Sequence, residues 1–234
     1  MKKIIAGVIM SAVALTMGAL VGCSSTPSEE VPDDPAGTKT AVFEAEGCDL
    51  SEYSGHGWSN NATGCQTIQG QNTQKIRENQ SVLNSISNGY FVGFFGVENT
   101  ALTFDFTSAE AVEEATLVLR LASEWGTMTV DDSIMQIEVN GEIIEYNPFT
   151  VTGKKIDSAA TVEYGVPFAD FTISTKISLK KGDNTIRLIG QGAPFGDMES
   201  MDIGPGVDCI KIKSMTDVTW ESLWEDNQLN VKEN

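Results

Sequence analysis

From Ala41 onward the apolar residues recur with a period of two. Leu102, Phe104 and Phe106 alternate with Thr103 and Asp105, and Leu117, Leu119 and Leu121 alternate with Val118, Arg120 and Ala122. Successive side chains on a strand point to opposite faces, so this spacing predicts half-buried strands rather than helices. Ile134, Ile137 and Val139 lead into Asn140-Gly141 and then Ile143-Ile144, the pattern of a tight hairpin. Ile173, Ile177 and Leu179 run into a second turn at Lys181-Gly182-Asp183-Asn184, followed by Ile186, Leu188 and Ile189. Val207, Ile210 and Ile212 mark a last strand. Many short strands bounded by turn residues predict an all-β sandwich. Two helical pieces are expected: one turn within Ser108–Ala115, and a short helix in the tail, 215–234, where Trp220, Leu223 and Trp224 stand at helical spacing. No segment repeats.

The first residues break this pattern. Lys2 and Lys3 precede an apolar run from Ile4 to Val21, which ends in Gly22-Cys23-Ser24-Ser25. A positive start, an apolar middle and small residues at the end describe a secretion signal. Small residues directly before a cysteine resemble a bacterial lipoprotein signal. The resemblance implies cleavage before Cys23, acylation of that residue, and tethering to a membrane of the cell envelope with the protein facing outward. A transmembrane anchor is the alternative, at the short edge of the roughly 20 residues a span needs. The stretch 24–40 carries Pro27, Pro32 and Pro35 with Glu29, Glu30, Asp33 and Asp34 and almost nothing apolar, so it reads as a disordered linker lifting the 41–214 domain off the surface.

The chain holds 33 acidic and 15 basic residues, a formal net charge of −18. Such acidity repels phosphate backbones, which argues against nucleic acid as a partner. Beyond Cys23, three cysteines remain in an exported setting: Cys48, Cys65 and Cys209. An odd number allows one internal bridge at most. Cys48–Cys65 would close a Gly/Ser/Asn-rich loop and contribute about 3 kcal/mol. Cys48–Cys209 is the rival pairing, and Cys209 otherwise reads as a buried thiol.

Several short motifs follow one another in order: Phe43-Glu44-Ala45-Glu46, Asn88-Gly89-Tyr90-Phe91-Val92-Gly93-Phe94, Val139-Asn140-Gly141, Ile177 to Ile186, and Gly204-Pro205-Gly206-Val207-Asp208-Cys209-Ile210. Together they resemble the family 6 and family 35 carbohydrate-binding modules and their galactose-binding-like relatives, over roughly 41–213. The resemblance implies a jelly-roll sandwich with a structural calcium held by Glu44, Glu46 and Asp208. Calcium takes six to eight hard oxygens, and two glutamates two apart on a regular strand face one side. An exposed acidic strand face is the plainer alternative.

The same resemblance implies a glycan as partner, bound by a monomer in the loops at one end of the sandwich. Sugars need aromatic faces and a few polar groups. Trp125, Phe168, Phe171, Trp58 and Asp202 are the candidates, with Phe195, Asp197 and Glu199 in the loop beside Asp202. Gly206 stands where the family often places a contacting asparagine. His56 is the single histidine, and neither a G-x-S-x-G elbow, an H-E-x-x-H pair nor a glycine-rich phosphate loop occurs. The expectation is therefore a non-catalytic carbohydrate-binding protein. An envelope protein-interaction module on the same sandwich is the second reading, and a small jelly-roll lyase or hydrolase the third.

Overall fold

The computed structural model describes residues 34–52, 67–69, 80–93, 100–123, 126–153, 167–192, 194–195, 198–202 and 204–225. Its strands are β1 (Lys39–Glu44), β2 (Thr67–Gln69), β3 (Tyr90–Val92), β4 (Ala101–Ser108), β5 (Val112–Ala122), β6 (Met128–Val130), β7 (Met135–Val139) and β8 (Glu142–Ile144). They continue with β9 (Phe149–Val151), β10 (Ala169–Thr172), β11 (Ile177–Leu179), β12 (Gly182–Gly190), β13 (Pro194–Phe195), β14 (Met198–Asp202), β15 (Gly206–Ser214) and β16 (Val218–Trp220). A 3-10 turn spans Ala45–Gly47, and one short helix, α1, spans Gln80–Leu83.

Two antiparallel sheets carry the fold. One has the order β10-β5-β15-β3-β2, with β1 also on β15 and β11 also on β5; the other runs β16-β4-β12-β7-β8. Successive long strands alternate between them: β4 lies in the second sheet, β5 in the first, β7 in the second, β10 in the first, β12 in the second and β15 in the first. That alternation makes the sandwich a jelly roll, as expected. The apolar alternation supplies its interior. Leu102, Phe104, Ile186 and Leu188 from one sheet meet Leu117, Leu119, Leu121, Ile210 and Ile212 from the other, all fully buried. Each such side chain favours folding by about 1.5–3 kcal/mol. Thr103, Asp105 and Thr107 take the outward positions of β4.

The Asn140-Gly141 hairpin forms between β7 and β8, with φ of 54° and 89° at its two central residues. Open space surrounds the position of a Cβ on Gly141, so backbone conformation, not crowding, selects glycine there. Asn184 closes the second turn by bonding the backbone of Lys180 and Gly182.

Three expectations need correction. The corner in Ser108–Ala115 is not helical, because β4 runs to Ser108 and β5 starts at Val112. The tail begins as β16, paired with β4, since Val218, Thr219 and Trp220 favour strand, and turns helical only at Trp224 and Glu225, the last described residues. Strand β1 opens at Lys39, two residues before Ala41.

Candidate functional site

Three carboxylates, Glu46 and Asp208 buried and Glu44 half-buried, gather on the face of the first sheet that points away from the main core. β1 and β15 pair with Glu44 opposite Cys209, and β15 and β5 pair with Cys209 opposite Arg120. This row places Glu44 and Arg120 on one face, opposite to the core residues Phe43, Leu119 and Leu121. The register slips between Val207 and Cys209. Asp208 is the extra residue of a β-bulge, which breaks strict alternation and leaves Val207, Asp208 and Cys209 all buried. Glu46 arrives differently from the expectation of a shared strand face. β1 ends at Glu44, and the 3-10 turn carries Glu46 inward to 1% exposure.

The segment 85–88 lies over these carboxylates. The Ser87 N–H donates to both oxygens of Asp208, at 3.0 and 3.1 Å. Its hydroxyl lies 2.6 Å from Glu44 Oε2 and 2.8 Å from Asp208 Oδ2. Asn88 Nδ2 donates to Glu46 Oε1 at 3.0 Å. Asn88 and Gly89 both have positive φ, 49° and 79°, and this sharp turn aims Ser87 and Asn88 at the acids. Arg120 Nε lies 3.1 Å from Asp208 Oδ2 and donates to the Ser85 carbonyl at 2.9 Å. Its other arm reaches Asp170, which also pairs with Lys211.

Burial dominates the electrostatics. It pushes the carboxyls of Glu46 and Asp208 each up to about 7. The hydrogen bonds from Asn88 and Ser87 oppose the rise, while the neighbouring carboxylates add to it. Glu44 is raised by burial too, against Ser87, Arg120 and Lys211. The Cys209 thiol, beside them and fully buried, is pushed up to about 12, chiefly by burial. The Ser87 hydroxyl has one proton for two carboxylates, so the second contact needs either a proton on a carboxyl or another positive charge nearby. One guanidinium does not balance three acids.

Among the described residues no three acidic, histidine or cysteine side chains form a metal-holding cluster. Ser87 and Asn88 stand between the acids instead. The donor chemistry nevertheless fits a hard cation: oxygen ligands, surplus negative charge and exclusion of water. Glu44, Glu46 and Asp208 would supply the ligands.

The expected sugar contacts fare less well. The ring of Phe168 is 3% exposed and packs on Phe91 at 5.1 Å in a small second core with Val82, Ile86 and Ala122. It offers no open face, which corrects its assignment as a stacking residue. Phe171 is half-buried, and one side of its ring stacks on Phe149 at 5.1 Å. Asp202 ends β14, which pairs antiparallel with β13. Trp58, Trp125, Cys23, Cys65 and His56 lie outside the described residues. Cys48 is buried at the end of the 3-10 turn. Cys209 is a free thiol, so the Cys48–Cys209 bridge does not form. An open groove of about 680 Å³ crosses the outer face of β16, β4 and β12, but none of the expected sugar contacts lines it.

Ser87 and Arg120 stand outside the motifs that pointed to the site, and Asn88, which opens the second motif, had no role assigned to it. Arg120 carried a signal, since an arginine inside the run Leu117–Ala122 requires a partner. Ser87 carried none.

No family model matches the chain, and no curated protein matches it. Solved structures do. A beta-(1,4)-mannanase of Podospora anserina with a family 35 carbohydrate-binding module is 16% identical, with a TM-score of 0.45; the match covers 75% of this chain and 28% of that one. A family 35 module from Paenibacillus barcinonensis is 18% identical over 74% of this chain and 98% of its own, at a TM-score of 0.44. A family 35 module from Clostridium thermocellum is 15% identical over 74% and 97%, at 0.45.

Proposed function

We propose that this chain is a non-catalytic carbohydrate-binding protein of the cell envelope, held to the membrane by lipid on Cys23 and stabilised by one calcium ion. One observation supports the reading most. Glu44, Glu46 and Asp208, far apart in sequence, meet under the Asn88-Gly89 turn, where the order of motifs led us to expect a shared site. The ion would neutralise carboxylates that now crowd one another. Trp125 and Trp58, with the second side of the Phe171 ring, are the candidates that remain to stack a sugar. Weak affinity is expected, because a shallow site leaves much of a glycan in water.

Gly206 and the burial of Phe168 favour the second reading, a sandwich that docks on an envelope protein. One set of measurements separates the two. The intact protein and Trp125→Ala are screened on plant, algal and host glycans, with melting curves in calcium and in chelator. Binding lost in Trp125→Ala at an unchanged melting temperature supports the sugar site. Absence of binding across the panel overturns it in favour of docking. Melting curves identical in calcium and chelator would remove the calcium assignment.

A further inference from the structure

The last described segment, 218–225, touches both limbs of the carboxylate cluster. It leaves the second sheet as β16, paired with β4 through Trp220 opposite Phe106. The Trp220 indole stacks on Phe43, the residue before Glu44, at 5.3 Å and 27°. The Leu223 N–H donates to the Gly47 carbonyl at 2.8 Å, one residue beyond Glu46. The fit there is tight: a Cβ on Gly47 would lie 2.2 Å from Ser222 Oγ and 2.8 Å from Trp220 Cη2. Trp224 then reaches the other limb, its ring 4.5 Å from that of Tyr90. Tyr90 follows directly on Ser87-Asn88-Gly89, the turn that aims its donors at the acids.

We propose that this C-terminal strap is the clamp of the calcium site: it holds the Glu46 turn against the 87–90 turn and so sets the affinity for the ion. The inference rests on the calcium assignment above. None of Trp220, Leu223 and Trp224 offers a ligand. They act as positioning residues, fixing the spacing between two short turns that share no strand ladder. Outer partners of this kind commonly govern metal affinity by tenfold or more.

The test is calorimetric titration of the full chain with calcium after chelation and desalting. Trp224→Ala should weaken calcium binding about tenfold or more, while Trp224→Phe, which keeps a ring on Tyr90, should restore most of it. Gly47→Ala, which drives a methyl group into the strap, should weaken binding by the same route. Melting in chelator separates clamp from fold: Trp224→Ala should melt close to the parent there and fall behind only in calcium. Parent-like affinity in Trp224→Ala would overturn the clamp and leave the calcium site standing. No heat of binding from the parent would overturn both.

Discussion

Two arginines of this sandwich are equally sheltered and answer to different physics. Arg120 is 24% exposed and faces Asp208, which is 0% exposed. Arg187 is 26% exposed and lies between Glu52 and Glu138, which are 56% and 20% exposed. On the outer face of the second sheet, water screens the Arg187 group and can replace either partner. Under the 85–88 segment Asp208 is closed off from solvent, and among the described residues Ser87 is its remaining partner. At similar distances, breaking a charge pair costs more the more buried the partner it leaves behind.

The largest effect follows from removing the buried side. Arg120→Met leaves Asp208 buried beside two other acids and should cost about 3–5 kcal/mol in urea denaturation. A loss below 1 kcal/mol would show that Ser87 alone sustains Asp208.

The pH dependence sharpens the contrast. Glu46 and Asp208 have ordinary values of 4.5 and 3.8 and are pushed up to about 7 in the fold. A carboxyl raised on folding binds its proton more tightly in the native chain. The stability it contributes is complete below the ordinary value and is lost as pH rises through the folded value. In chelator, the melting temperature should therefore fall between about pH 5 and about pH 8, and calcium should flatten the fall. A melting temperature that rises over that range would contradict the burial of these groups.

The smallest effect belongs to the exposed group. Arg187→Met should change stability by about 1 kcal/mol or less, and added salt should erase the difference. An effect as large as that of Arg120→Met would remove the distinction between the two.

Much of this was readable in the chain. Leu102 to Phe106 and Leu117 to Leu121 announced their strands because both sheets keep one face in the core. Asn140-Gly141 announced its hairpin through its backbone conformation. Glu44, Glu46 and Asp208 could be named from the order of motifs, yet how they meet could not. Glu46 enters through a 3-10 turn and Asp208 through a bulge, and neither departure leaves a periodic trace. Ser87 and Arg120 reach the cluster from distant strands and turns, so only the folded pairing of β1, β15 and β5 makes them neighbours. The first part of the tail misled because Trp220, Leu223 and Trp224 are spaced like a helix face, while pairing with β4 makes 218–220 a strand and leaves helix only at Trp224 and Glu225.

The bulge at Asp208 also bears on how this fold can change over generations. It is a single surplus residue in a ladder that is otherwise in register from Cys209 to Lys213. Deleting that one codon would straighten the strand, keep every apolar residue of β15 in phase with its neighbours, and discard one acid of the cluster. The buried acid cluster and the sandwich are thus inherited separately, divided by one three-base step.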